Sequence, residues 1–276
     1  MTLNFTKMHG LGNDFIVIDA INQAVSLTPQ QVQQLADRHF GIGCDQLLLV
    51  EAAISMEADF RYRIYNADGG EVEQCGNGAR CFMQFVRDQG LTDKSQLQVE
   101  TLGGPLQLIQ QSDGRITVDM GVPRLEPADI PFTAAQRERT YVLEILDRQF
   151  EIAAISMGNP HAVLLVDDIE NAPVARIGAA LERHPRFPER VNVGFMQIMD
   201  DKHIRLRVFE RGAGETLACG SGACAAVVAG RLWERLSESV KVVLNGGELV
   251  VSWAGEGQPV LMTGPATTVY QGRIEL

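Results

Sequence analysis

Short apolar runs separated by polar turns dominate the chain, and their lengths set the elements it can form. Phe15-Ile16-Val17-Ile18-Asp19 follows a Gly-rich turn and predicts a strand. Thr28 predicts a helix N-cap, Pro29 the first helical position and Gln31 the partner in a capping box. That helix carries Val32, Leu35 and Ala36 on one face and is expected to run to Gly41. Strands are expected over 46–51 and 60–65, and 106–120 reads as a hairpin turning at Ser112-Asp113-Gly114. Apolar runs such as 162–166 are strand-sized and too short to span a bilayer. Many strands with short turns and few helices indicate a mixed sheet rather than a doubly wound one.

Two segments depart from this pattern. Cys75-Gly76-Asn77-Gly78-Ala79-Arg80-Cys81 and Cys219-Gly220-Ser221-Gly222-Ala223-Cys224 each open on a Gly-rich turn and continue with helical spacing. The second is apolar on every face for two turns, as expected of a helix enclosed by other structure, and the first is nearly so. The segments also match each other, the second following the first by 144 residues (75 to 219). Asn66 lies nine residues before Cys75, and Glu210 nine before Cys219. Gly12-Asn13 recurs as Gly158-Asn159. The chain therefore reads as two copies of one unit. The expected N-terminal half is 1–121, completed by 266–276, and the C-terminal half is 122–265, with the junction near Gly121-Val122-Pro123.

Charge narrows the choice of ligand. With 24 Lys+Arg against 35 Asp+Glu the net charge is −11, and no basic run is present, which argues against a nucleic-acid partner. An anionic ligand must then be held by local geometry rather than by a global field. The five cysteines are odd in number and none is spaced C-x-x-C, so thiols are expected rather than disulfides or a zinc site. Met1 to Lys7 carries no apolar export stretch, and a cytoplasmic location without membrane association is expected.

A cysteine at a helix N-terminus faces unsatisfied N–H groups and the positive end of the helix dipole, both of which favour thiolate. The same N–H groups can hold a carboxylate. If the halves pack with pseudo-twofold symmetry, the two turns face each other across a cleft. A carboxylate held there puts its α-carbon between two sulfurs. Inverting such a centre needs a base on one face and an acid on the other, which a thiolate and a thiol supply. No cofactor or metal is then required if the N–H groups stabilise the carbanion. Cys81, Cys224 and Cys44 are read as buried small hydrophobes. A redox protein cycling a Cys75–Cys219 disulfide is the alternative from another class.

The motifs resemble a known family. The run from Asn66 to Arg80, the run from Gly212 to Gly222, Met8 to Phe15 and Gly158-Asn159-Pro160-His161 are similar to the blocks of the diaminopimelate epimerases. Gly70 stands where that family usually carries Ser. The resemblance implies interconversion of LL- and meso-2,6-diaminopimelate without a cofactor, in lysine and peptidoglycan precursor synthesis. It implies an α+β fold of two pseudo-symmetric domains, each a barrel-like mixed sheet wrapped around a central helix. A homodimer is a further family feature. It makes Cys75 and Cys219 the acid–base thiols and puts the reacting carboxylate on the N–H groups of Gly76, Asn77, Gly220 and Ser221. Asn13, Gln46, Asn66, Asn159, Asn192, Glu210 and Arg211 would line the site.

The side chains suit that substrate, with Arg211 a planar fork for the distal carboxylate and Glu210 a partner for its ammonium. Turn formation is the alternative for Asn13 and Asn66, and a surface ion pair for Glu210 and Arg211. Proline or hydroxyproline epimerases also pair two thiols but leave Glu210 and Arg211 idle. His161 is either an orienting group for a thiol or a strand-end histidine. Glu71 and Glu215, at corresponding positions, are expected to share a structural role.

Overall fold

The computed structural model describes residues 2–73 and 75–276. Met1, the first residue of the expected N-terminal half, and Gln74 of the first cysteine motif lie outside the described residues. The chain divides into two units, Met1–Asp119 with Thr263–Leu276, and Met120–Met262.

The first unit runs β1 (Thr2–Gly10), β2 (Asn13–Asp19), α1 (Pro29–Ala36), β3 (Gln46–Ala52), β4 (Phe60–Asn66), β5 (Glu71–Val72), α2 (Gly76–Asp88), β6 (Gln96–Thr101), β7 (Gly104–Gln110) and β8 (Ile116–Asp119). The second runs β9 (Tyr141–Ile145), β10 (Arg148–Ser156), β11 (Pro160–Leu165), α3 (Val174–Glu182), β12 (Asn192–Asp200), β13 (His203–Glu210), β14 (Gly214–Thr216), α4 (Gly220–Leu232), β15 (Ser239–Leu244) and β16 (Gly247–Trp253). After β17 (Val260–Gly264), the last strand, β18 (Thr267–Glu275), pairs antiparallel with β1 from Thr2–Glu275 to His9–Thr267.

The two units share one topology. β1–β2 and β10–β11 are antiparallel hairpins; β2–β3 and β11–β12 are parallel. β3–β4 and β12–β13 are antiparallel, and β4–β6 and β13–β15 are parallel. Even the outer partner is matched, because β9 pairs with β10 as β18 pairs with β1. The fold is α+β, with each mixed sheet curled around one helix. In the first unit α2 packs against β1, β2, β3, β7, β8 and β18. In the second α4 packs against β10, β11, β12, β13 and β16.

The apolar patterning follows from this enclosure. In β2, Phe15 faces α2 while Ile16 and Ile18 join Val32 and Leu35 of α1 in an outer core. A strand buried on both faces needs an unbroken apolar run, which is what 15–18 supplies. In α4 every residue from Gly222 to Gly230 is buried, so Ala, Gly and Val replace the amphipathic stripe of an ordinary surface helix. α3 packs Ile177 and Leu181 into a separate outer core with Ile152, Val193 and Phe195.

Helix α1 carries the expected capping box, with Gln31 N–H on Thr28 Oγ1 and Thr28 N–H on Gln31 Oε1. It ends at Ala36 rather than at Gly41. The Asp37 carboxylate accepts the N–H groups of His39 and Phe40, both at 2.7 Å, and Leu35 O accepts from Ile42 and Gly43. A side chain competing for backbone donors in this way turns the chain out of the helix. Glycine is required at 41, where a Cβ would lie 2.0 Å from Gln34 O. The expected hairpin forms as β7 and β8, closed by Gly114 N–H on Gln111 O.

Candidate active site

In each unit the strand ends bring polar residues to the N-terminus of the enclosed helix. Asn13 starts β2, Gln46 starts β3 and Asn66 ends β4. Because β2 and β3 are parallel and β4 runs back, these three positions share one end of the sheet. Gln46 and Asn66 are direct cross-strand partners, and Gln46 Nε2 donates to Asn66 Oδ1 at 2.9 Å. Cys75 is the N-cap of α2 in extended conformation, with its carbonyl accepting Ala79 N–H at 2.8 Å and Tyr62 O–H at 3.2 Å. Glycine at 78 lets Tyr62 reach in, since a Cβ there would lie 2.7 Å from the phenol oxygen.

The Cys75 thiol is half-buried and reaches Asn13 Oδ1 at 3.6 Å. Asn77 Nδ2 donates to the same oxygen at 3.2 Å. Asn13 Nδ2 donates to Asp45 Oδ2 at 3.0 Å. Beneath this lies an ionic cluster, with Asp14 held by Lys7 at 2.6 Å and Arg38 at 2.7 Å, and Arg38 also on Asp45. Burial opposes the charge on Asp14, but the Arg38 and Lys7 hydrogen bonds win and hold the carboxyl well below its usual range.

The second unit repeats the placement with different side chains. Asn159 precedes β11, Asn192 starts β12, Glu210 ends β13 and Cys219 is the N-cap of α4. Cys219 is buried and its sulfur lies 3.7 Å from Ser221 Oγ. Ser221 Oγ accepts from Asn159 Nδ2 at 3.4 Å, and Asn159 Oδ1 meets His161 Nε2 at 3.0 Å. Asn192 is buried, donating to Pro160 O at 3.1 Å and accepting Arg211 N–H at 2.9 Å. The following turn is held by the buried Glu182 carboxylate on Gly212 N–H at 2.8 Å, and Arg211 Nη1 reaches Glu189 O at 3.0 Å.

Electrostatics set the Cys219 thiol and the histidine apart. Burial pushes Cys219 well above the ordinary 9.0, the Glu210 carboxylate adds to that rise, and hydrogen bonds from Ser221 and Gly222 oppose it. Glu210 itself accepts Thr216 Oγ1 at 2.5 Å. Burial, aided by the charge of Arg211, lowers His161 to about 3, so the ring is neutral at ordinary pH and serves Asn159 within its unit. Cys44 and Cys81, read from sequence as inert hydrophobes, are buried and pushed up to about 12.

The predicted residues thus gather at the end of each enclosed helix, where the Gly76-Asn77 and Gly220-Ser221 backbones form the first turn. Four contributors escaped sequence reasoning: Asp45, Tyr62, Arg80 and Glu182. Arg80, fully buried on α2, carried a legible signal, a guanidinium directly before the apolar run Cys81-Phe82-Met83. Glu71 and Glu215 do share a role, gripping Arg63 and Arg207 with both carboxylate oxygens.

Residues 5–126 and 153–269 match the sequence model of the family described as Diaminopimelate epimerase. The chain is 61% identical over 276 residues to a diaminopimelate epimerase of Nitrosospira multiformis, covering all of this chain and 99% of the relative. It is 62% identical to one of Aromatoleum aromaticum over the full length of both. Among solved structures, a phenazine biosynthesis protein of the PhzF family from Bacillus anthracis superposes with a TM-score of 0.70 at 18% identity, covering both chains fully. A hydroxyproline epimerase from Agrobacterium vitis gives 0.69 at 16% identity, covering 99% of this chain and 92% of that one. These two share the fold.

Proposed function

The chain belongs to the diaminopimelate epimerase family, and we propose that Cys75 and Cys219 are the acid and base with which it inverts its substrate. The enzyme is an isomerase that epimerises diaminopimelate, a step of lysine biosynthesis. In the proposed mechanism the reacting carboxylate rests on the N–H groups of Gly76, Asn77, Gly220 and Ser221. One thiol stands on each face of the α-carbon. The sulfur in the thiolate form removes the α-proton, and the opposite thiol delivers its own proton to the other face. The roles exchange for the reverse direction. N–H groups aimed at the carboxylate stabilise the negative charge that develops there, so the mechanism draws on no cofactor.

Specificity comes from the end of the substrate that does not react. Arg211 offers a planar fork to the distal carboxylate and Glu210 a charge for the distal ammonium. Gln46, Asn66, Asn159 and Asn192 supply paired donors and acceptors, and the bonds that already lock Asn192 keep its amide preorganised for substrate. Glu210 also bears on chemistry. Its carboxylate disfavours charge on Cys219 and offers an acceptor for that thiol's proton. We place the reaction in the cytoplasm, where the thiols stay reduced.

The observation that carries this reading is the duplicated position of a cysteine at the N-cap of an enclosed helix, once per unit. Proton exchange tests it. Purified chain, free of metal and cofactor, incubated with LL-diaminopimelate in deuterated water is expected to yield meso product with one deuterium at the inverted α-carbon. Absence of both exchange and inversion sinks the reading.

A further inference from the structure

Two amides stand between Arg80 and Cys75, and the groups at either end of that row are of opposite kind. Arg80 is fully buried, and its Nη2 donates to Asn77 Oδ1 at 3.0 Å. The same guanidinium donates from Nε to Pro265 O at 3.0 Å and from Nη1 to Gly76 O at 3.4 Å, which fixes its plane. A guanidinium has donors only, so Asn77 turns its oxygen to Arg80 and its nitrogen to Asn13. At the far end, Asn13 Nδ2 meets Asp45 Oδ2, and a carboxylate has acceptors only. Asp45 is itself fixed, accepting Asp14 N–H at 3.1 Å on that oxygen and Arg38 Nη2 at 2.8 Å on the other. Both ends impose the same sense on the row. The residue left at its elbow is Asn13 Oδ1, which takes Asn77 Nδ2 and faces Cys75 Sγ.

Close packing holds Arg80 and Asn77 in place, and the hydrogen-bond partners choose the sense of the amides. A Cβ at Gly10 would lie 3.0 Å from Arg80 Nη2 and 3.2 Å from Asn77 Cβ, so the strand backbone presses directly on the pair. The second unit places a hydroxyl, not an amide, beside its cysteine. Its positions equivalent to Asn77 and Arg80 are Ser221 and Cys224, and a hydroxyl can turn its proton either way.

We propose that Arg80 and Asp45 are positioning residues that fix the sense of the Asn77–Asn13 amide row, so that in the substrate-free protein Cys75 meets a hydrogen-bond acceptor and rests as the proton-bearing thiol. Reversing Asn13 would bring its NH2 to the sulfur and favour thiolate instead. The proposal rests on Cys75 being one of the two acid–base thiols, and it adds which groups decide how that thiol is presented.

The test is the rate at which iodoacetamide alkylates Cys75 at neutral pH, read by peptide mass spectrometry with Cys219 as internal reference. Thiolate is the reacting species, so the rate reports how the thiol is held. In Arg80→Gln, whose amide can present either end, Cys75 is expected to alkylate about fivefold faster, the worth of roughly one hydrogen bond. Asp45→Ala, at a half-exposed position, is expected to give a two- to threefold rise by the same reasoning. In both, Cys219 keeps its rate, and kcat falls with little change in KM. Arg80→Lys, again a pure donor, is expected to restore the original rate. An unchanged Cys75 rate in Asp45→Ala overturns the proposal, whatever the folding of the Arg80 variants. So does a parallel rise at Cys75 and Cys219, which marks general loosening, or a Lys variant no better than Gln. Cys75→Ala separates the two levels. If it keeps full turnover, the acid–base assignment itself is wrong. If it is inactive while alkylation is unmoved in the other variants, only the amide row is wrong.

Discussion

Cys75 and Cys219 occupy the same position in the same topology, yet they sit in unlike company. Each is the extended N-cap of a 13-residue helix enclosed by its own sheet, and each is preceded at nine residues by a polar strand end. Cys75 is half-buried and meets an amide oxygen. Cys219 is buried and meets a hydroxyl, with a carboxylate near enough to raise its titration further. Backbone-determined features, the N–H groups and the helix dipole, are duplicated without change. The side chains that decide where protons sit have diverged. The proposed two-thiol mechanism needs both sulfurs to be competent, but their resting states need not be alike.

Removing either sulfur is the most severe way to break this comparison. Cys75→Ala and Cys219→Ala are each expected to lower kcat by about 10³-fold or more from either starting isomer, because on the proposed mechanism each deletes one of two proton carriers. Measured turnover of LL- and meso-diaminopimelate decides it. A variant that epimerises one isomer at the original rate would break the equivalence of the two units.

Acid separates the units next. The folded second unit keeps His161 neutral, with its pKa lowered to about 3 against an ordinary 6.5, while the unfolded chain takes up a proton between those limits. Stability from this group is therefore complete above pH 6.5 and is lost as the pH falls, by about 3 kcal/mol in total at pH 4. Asp14 in the first unit is held below its ordinary 3.8, so its contribution is present above that value and disappears only at lower pH. Hydrogen exchange resolved by unit is expected to show the second unit loosening first between pH 6.5 and 4, and His161→Gln is expected to remove the difference. Equal loosening of both units in the original chain would refute the assignment.

A third contrast concerns the substrate's far end. Arg211 has Ala67 as its counterpart 144 residues earlier (67 to 211), so the second unit alone supplies a guanidinium at this turn. Arg211→Lys keeps the charge but loses the fork, and KM for diaminopimelate is expected to rise about 30-fold with kcat reduced less, in the range of a charge-assisted bidentate pair. A larger fall in kcat than rise in KM would overturn the proposed binding role of Arg211 in favour of one in chemistry.

Much of this organisation is legible in the sequence because it depends on short-range rules. The duplicated Cys-Gly-x-Gly-Ala turn, the capping box at Thr28 and the all-apolar face of α4 each follow from local spacing. What escapes depends on contacts between distant residues. Asp45 reads as one more acidic loop residue until β2 and β3 pair in parallel and bring it to Asn13. Arg80 reads as a polar interruption until Pro265, far along the chain, supplies an acceptor for it. The end of α1 fails for a related reason. Asp37 is a tolerable helix residue by propensity, and only its side-chain capture of two following N–H groups ends the helix there.

The smallest expected effect gives the strictest test of how alike the units remain. Arg63 grips Glu71 at 2.8 Å through both oxygens, and Arg207 grips Glu215 at 2.6 and 2.8 Å in the same register. Hydrogen bonds from the facing guanidinium hold both acids below the ordinary 4.5, against a smaller opposing effect of burial. All four side chains are partly in water, which limits each pair to about 1 kcal/mol or less. The pairs brace β5 and β14, the short strands leading into the two cysteine turns. Glu71→Gln and Glu215→Gln are therefore each expected to lower the midpoint of urea unfolding by a similar small amount, with kcat nearly unchanged. If Glu215→Gln costs clearly more, its extra bond to Asn245 at 3.2 Å is the cause, and Asn245→Ala should cancel the difference. If Glu71→Gln costs more, the two braces are not equivalent, and the duplication extends to backbone topology but not to the supports beneath the cysteines.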